Sequence, residues 1–372
     1  MHSETLLVHG SYHPEKPGDG IVAPQIDATA FRHGDQGLSP ENFSYTRHDN
    51  PNRKQLEETL AGLEKGTNAA CFSSGMSATD AVLRSLPSGS HVIYPTDVYH
   101  GTRALLQHYA SRGELSISEA DMRKTQEIAS LINPNTKLVW LETPSNPLLQ
   151  ITDIALVKSV LPADILLCTD NTWLSPLLQK PILLGSDIVV HSATKYLGGH
   201  SDLLGGVVVC KNSNSIFDNI RTHQQLSGAV LSSRDCHLLS RSLKTLAVRM
   251  RTHEENARQV AHFLNEHSEV TKVYYPGLED HPGHEVAKKQ SSGFGAMISF
   301  EVNGDAAKTL KVVQSSEIII PATSLGGVES TWEHRKSSEG DASKTPDNLI
   351  RLSVGIEHID DLLEDLEKAL AG

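Results

Sequence analysis

The chain has 372 residues, 38% of them hydrophobic and 21% charged, enough for two cored domains rather than one. Lys and Arg number 33 against 45 Asp and Glu, a net charge of -12 with no basic block, which excludes a polyanion binder and predicts no nucleic-acid partner. No stretch reaches the roughly 20 apolar residues of a membrane helix, and the N-terminal residues lack the charged start and apolar run of a secretory signal, so a cytoplasmic protein with no membrane contact is expected.

Residues 1–50 are rich in His, Pro, Gly and Asp without a sustained period, and read as an extended arm that finds its partners elsewhere. Residues 53–65 then place apolar side chains at helical spacing and stop at a glycine. Continuous apolar runs follow at 69–72, 91–95, 137–142, 165–170, 187–192 and 205–210, separated by helical stretches. Strands that are apolar throughout and alternate with helices predict a mostly parallel sheet covered on both faces, with ligands bound at the carboxyl ends of its strands. From residue 236 the pattern changes. A long helical segment at 235–267 leads to GAMISFEV, EIIIPA and LIRLSVGIE, and a last helix starts at Ile359. The expected organisation is an arm (1–50), a large α/β domain (51–235) and a smaller α+β domain (236–372). Cys71, Cys168, Cys210 and Cys236 lie far apart and read as reduced, buried thiols.

The chemistry concentrates in residues 187–206, DIVVHSATKYLGGHSDLLGG. A predicted strand runs into Ser192, Thr194 and Lys195, and a glycine-rich turn follows. A lysine in that place is ordinarily a solvated strand end. A lysine that holds an aldehyde cofactor as a Schiff base needs phosphate donors beside it and small residues that let a flat ring approach. Ser192 and Thr194 supply hydroxyls, and Gly198 and Gly199 leave room. The Gly-rich order of a nucleotide phosphate loop is absent. Such a cofactor also calls for a carboxylate to keep its ring nitrogen protonated, and Asp170 ends the run 165–170. SSGMSATDAVLRSL has the form of a turn into a helix N-terminus, where an anion is favoured. The pair of histidines in HPGH (281–284) has no Cys or carboxylate partner at a metal-site spacing, so no metal is expected.

The order Asp, apolar residues, Ser, small, Thr, Lys, aromatic, apolar, x, Gly, His in residues 187–200 resembles the attachment-site pattern of the Cys/Met-metabolism (trans-sulfuration) family of pyridoxal-phosphate (PLP) enzymes. The resemblance extends from Tyr45 to LIRLSVGIE. It implies a fold-type-I PLP-dependent transferase, α/β, with a mostly parallel sheet between helices and a smaller α+β C-terminal domain. It implies pyridoxal 5'-phosphate as cofactor on Lys195, with Asp170 at the ring nitrogen and Ser192, Thr194 and the backbone of Gly75 and Met76 at the phosphate. Tyr99 would stack on the ring and share the catalysis with Lys195, and Asn146 would touch the ring hydroxyl. Arg351 would take the substrate carboxylate as a bidentate fork, assisted by Ser324. Tyr45 and Arg47, in YTRHDNPNR, would reach a neighbouring subunit's phosphate, which implies a homo-oligomer, a dimer of dimers.

The activity this implies is β- or γ-elimination, or γ-replacement, on a sulfur-containing or O-acylated amino acid, of cystathionine γ-synthase or γ-lyase type. Methionine γ-lyases carry a cysteine two residues after the stacking tyrosine, and this chain has Gly101. The synthases and γ-lyases usually have Glu directly before SLGG, and this chain has Thr323. Residues 331–347, polar and charged, replace the family's His-Pro-Ala…Thr-His stretch near the substrate entrance. Two other readings stay open: an aminotransferase or decarboxylase on the same scaffold, and a non-catalytic binding or scaffold protein.

Overall fold

A computed structural model of the chain describes residues 1–35, 37, 42–340 and 345–371. The larger sheet has seven strands: β1 (Asn68–Phe72), β2 (His91–Pro95), β3 (Ser116–Ala120), β4 (Thr136–Glu142), β5 (Leu166–Asp170), β6 (Ile188–Ser192) and β7 (Gly206–Cys210). Their order is β1-β7-β6-β5-β4-β2-β3. Strands β2 to β6 run parallel, and β7 lies antiparallel between β1 and β6. All six apolar runs are strands. The strand missing from the sequence expectation, β3, reads SISEA and sits at the sheet edge, where side chains stay partly exposed and apolar residues are not required.

Alternate residues along each strand feed separate cores. Ala70, Phe72, Trp140 and Val190 pack with Ala78 and Val82 of the Gly75–Arg84 helix and with Ile220 on one face. On the other face, Ala69, Cys71 and Val189 meet Leu56 and Leu60 of the Pro51–Glu64 helix, while Val139 and Leu167 meet Ile154 and Val157. Double-sided burial is why these strands are apolar throughout. All four cysteines are free and buried.

The second sheet comprises β8 (Val270–Tyr274), β9 (Met297–Val302), β10 (Ile320–Pro321), β11 (Thr331–His334) and β12 (Leu349–Ser353), in the order β10-β11-β12-β9-β8. It is antiparallel except for the β10–β11 pair. One apolar core runs from Leu60 and Val189 through Met250 to Met297 and Ile350, so the two sheets share it.

Two local expectations are corrected. The N-terminal arm is not irregular throughout: Ser3–His9 is helical, and Leu7 is buried in the shared core. The helical segment at 235–267 is two helices, Ser233–Leu243 and Leu246–Glu266. Buried Arg249 explains the break. Its guanidinium donates to the Ser242 and Tyr196 carbonyls at 3.0 and 2.8 Å, and Thr245 turns its N–H and hydroxyl onto the same Ser242 oxygen. That oxygen is thereby taken from the bond that would continue the helix. The boundary expected at residue 236 falls inside the Ser233–Leu243 helix.

Candidate active site

The carboxyl ends of β1, β2, β4, β5 and β6 open on one side of the large sheet, and the loops that leave them carry the candidate residues. Beyond β6 the chain turns tightly: Lys195 N–H donates to the Ser192 carbonyl at 3.2 Å and Gly199 N–H to the Lys195 carbonyl at 2.8 Å. Gly199 has φ +70°, and a Cβ there would lie 2.0 Å from the Arg249 guanidinium. The turn directs Lys195 into the cleft, where its Nζ donates to Ser324 Oγ at 2.7 Å. Burial, and then the charge of Arg351, lower the pKa of this amine from 10.5 to about 8.

Ser74 caps the Gly75–Arg84 helix, accepting from Ser77 N–H at 3.0 Å. The free N–H groups of Gly75 and Met76 therefore face the cleft from a helix N-terminus. The approach to β6 is close. A Cβ at Gly75 would stand 2.8 Å from that of Ser192, and one at Gly206 would stand 2.0 Å from the Ser74 carbonyl. Ser192 lines the cleft, and Thr194 does so while its hydroxyl exchanges bonds with the backbone of Gly205.

Asp170, at the end of β5, accepts from Thr172 N–H at 3.0 Å and Thr172 Oγ at 2.6 Å, both on Oδ1. Burial raises its pKa, against these two bonds. Glu142 is in register with Asp170 on β4, and burial and the Asp170 charge push it well above the usual carboxylate range. Its Oε2 accepts from the Tyr99 N–H at 2.9 Å, which fixes the start of the His100–Ser111 helix and sets Tyr99 on the cleft wall. A Cβ at position 101 would lie 2.5 Å from the Tyr99 ring, so Gly101 is what lets that ring rest there.

The small domain closes the cleft. Arg351, on central β12, donates to Asn146 Oδ1 at 3.0 Å and to the Ser324 carbonyl at 3.3 Å. Ser324 holds φ +118°, a conformation costly for a side chain and stabilised here by its place between Lys195 and Arg351. Opposite Arg351 on β11 is Glu333, whose Oε1 lies 2.5 Å from Arg351 Nη2 and 2.6 Å from Arg335 Nη1. Thr323, directly before the SLGG turn, donates its hydroxyl to Glu333 Oε2 at 3.2 Å. A carboxylate thus reaches this corner from β11.

Ten of the residues expected from sequence line this single cleft. On the large-domain side are Lys195, Asp170, Ser192, Thr194, Gly75 and Met76; Tyr99, Asn146, Ser324 and Arg351 complete it. Tyr45 and Arg47 are not brought to it within the chain. Tyr45 is 45% exposed, and Arg47 donates to the Gln225 carbonyl at 2.7 Å. Sequence reasoning did not single out Glu142, Thr172, His100, Glu333 or Arg335. Thr172 lies within the DNT triplet, and Glu333 and Arg335 lie within the polar stretch 331–347, of which 341–344 fall outside the described residues. Among the described residues no group of three His, Cys, Asp or Glu side chains could hold a metal, and no helix is long and apolar enough to cross a membrane.

The cleft suits PLP. A lysine with a lowered pKa faces a carboxylate, and hydroxyls and free helix N–H groups lie together where two glycines let the chain come close. Comparison with known proteins agrees. Residues 4–371 match the family described as Cys/Met metabolism PLP-dependent enzyme. The chain is 41% identical over 373 residues to cystathionine gamma-synthase of Mycobacterium tuberculosis, covering 98% of this chain and 96% of that protein. It is 39% identical over 379 residues to cystathionine beta-lyase of Coxiella burnetii, covering 99% and 98%. The solved structure of cystathionine gamma synthase from Xanthomonas oryzae pv. oryzae, in complex with cystathionine, superposes with a TM-score of 0.95 at 37% identity, covering 100% of this chain and 98% of that one. The chain therefore belongs to the Cys/Met-metabolism PLP-dependent enzymes, the enzymes of trans-sulfuration.

Proposed function

We propose that the enzyme catalyses β- or γ-elimination, or γ-replacement, on a sulfur-containing or O-acylated amino acid, in the manner of a cystathionine γ-synthase or γ-lyase. The observation that carries this reading is the chain of contacts Lys195 Nζ–Ser324 Oγ (2.7 Å), Ser324 carbonyl–Arg351 (3.3 Å) and Arg351–Asn146 (3.0 Å). These contacts would put a base beside a carboxylate anchor, as α-proton removal from an amino acid requires.

When bound, PLP supplies an electron-accepting ring that stabilises negative charge at the substrate α-carbon. Ser192, Thr194 and the N–H groups of Gly75 and Met76 would hold its phosphate, Asn146 its ring hydroxyl and Tyr99 its face. Asp170 would keep a proton on the ring nitrogen. Arg351 would fix the substrate carboxylate, and Ser324, bonded to both neighbours, would orient it toward Lys195. Lys195 Nζ, with its pKa lowered to about 8, is a base near neutral pH once it is free to accept a proton, and it would carry the α-proton. With the β or γ substituent gone as the leaving group, the remaining skeleton would take up water and leave as keto acid and ammonia, or would add a thiol in place of the lost substituent. Tyr45 and Arg47 would serve the phosphate of a neighbouring subunit.

Gly101, standing where methionine γ-lyases carry a cysteine, supports a synthase or γ-lyase over a methionine γ-lyase. The test is a visible absorption spectrum of the purified enzyme, with cystathionine, homocysteine, methionine and an O-acyl-homoserine added in turn. A cofactor band lost in Lys195→Ala is expected, with keto acid released from one of these substrates or, when cysteine accompanies the O-acyl-homoserine, cystathionine formed without keto acid. Turnover that instead depends on an added keto acid would make the enzyme an aminotransferase and overturn the proposal.

A further inference from the structure

We infer that Glu333 is a built-in substitute for the substrate carboxylate on Arg351, and that Arg335 is the residue to which Glu333 withdraws when substrate binds. This rests on the reading of Arg351 given above and deepens it, because it names what sets the affinity of that anchor.

The geometry is specific. One oxygen, Glu333 Oε1, lies 2.5 Å from Arg351 Nη2 and 2.6 Å from Arg335 Nη1, and all three side chains are buried. The other oxygen is held independently, by Ser338 Oγ at 2.9 Å and Thr323 Oγ at 3.2 Å. Arg351 Nη1 donates to Asn146, and Nη2, with two N–H groups, is engaged by both Glu333 and the Ser324 carbonyl. A carboxylate that takes Arg351 through both terminal nitrogens must therefore displace one of these two from Nη2, and Glu333, the anion, is the one it also repels. A displaced carboxylate left alone in that buried corner would repel the incoming one and would itself be uncompensated.

Arg335 removes both difficulties. Its guanidinium is already on the oxygen that must let go, so Glu333 exchanges two cationic partners for one rather than for none. Arg335 is held in turn by Glu339 Oε1, 2.9 Å from its Nε, and it borders the cleft beside His100. It is therefore a positioning residue, acting on substrate through Glu333.

The test is the affinity of the PLP-loaded enzyme for norleucine, an amino acid with no leaving group, read from the change in cofactor absorbance and set beside KM and kcat for the true substrate. Arg335→Gln is expected to weaken norleucine binding and raise KM by about tenfold, within the range of coupling between contacting charged groups, with a smaller change in kcat. Glu333→Gln in the same chain should restore the affinity, since no carboxylate then competes for Arg351. Arg335→Lys, which keeps the charge, should bind nearly as the parent does. Unchanged affinity in Arg335→Gln would overturn the proposal, and so would a Glu333→Gln/Arg335→Gln enzyme that binds as weakly as Arg335→Gln alone. If Arg335→Gln fails to fold, Glu333→Gln alone decides, because it must bind norleucine at least as tightly as the parent. Arg351→Gln separates the two levels: if it retains norleucine affinity, the assignment of Arg351 itself is wrong.

Discussion

Lys195 shows how burial converts an ordinary side chain into a reagent. A solvated lysine holds its proton until far above neutral pH, whereas enclosure in the cleft and the positive charge of Arg351 lower this one from 10.5 to about 8. As the residue that would hold the cofactor aldehyde, Lys195 could add to it only as the neutral amine. Because the pKa is lowered, the reactive form accumulates as pH rises toward 8 rather than toward 10.5. Stopped-flow recombination of the cofactor-free enzyme with PLP should therefore accelerate up to about pH 8 and then level off. A rate that keeps rising to pH 10 would mean that the amine is unperturbed. The lysine itself was legible in the sequence, because strand, hydroxyls and glycines surround it within one short segment. Its pKa was not, because Arg351 lies on another sheet.

At the scale of elements, the Pro51–Glu64 helix joins the parts that frame the cleft. Asn50 caps it, accepting from Asn52 N–H at 2.9 Å. Buried Glu57 accepts from the Cys71 N–H of β1 at 2.8 Å and from Arg221 of the Ser215–Ser227 helix at 3.0 and 2.7 Å. One carboxylate thus ties a helix, a strand and a second helix, and β1 leads directly into the turn at Ser74. Glu57→Ala should cost about 3 kcal/mol, since it strands the buried Cys71 N–H and leaves Arg221 with only the neutral oxygens of Gln224 and Ala69. The midpoint of denaturant unfolding measures this, and an unshifted midpoint would show that the three elements hold without Glu57. The helix was readable from its apolar spacing. The role of Glu57 was not, since Arg221 is remote from it in sequence and no local pattern marks the pair.

At the scale of the whole molecule, Tyr45 and Arg47 do not line the cleft of their own chain. Within the chain Arg47 lies over the Tyr45 ring at 5.6 Å and binds the Gln225 carbonyl, away from Lys195. If the arm serves a partner's phosphate, Arg47→Ala should lose PLP on dialysis while Lys195 remains intact. Mixed oligomers of Arg47→Ala and Lys195→Ala subunits should regain one complete site and retain cofactor there. Equal retention by parent and Arg47→Ala would argue that each chain completes its own site.

The sequence by itself determined the alternation of strands and helices, the family and the residues at the strand ends, because backbone periodicity and short contiguous motifs are local properties. Only the tertiary structure decided the contacts among those distant side chains and the cleft residues that no motif names. Ser324 bridges Lys195 and Arg351, Glu142 stands beside Asp170, and Glu333 lies between Arg351 and Arg335. The short helix Ser3–His9, whose Leu7 enters the shared core, belongs to the same class. In each case the deciding partner comes from a remote segment, and the energy of a buried charge or an unpaired carbonyl depends on what surrounds it in space.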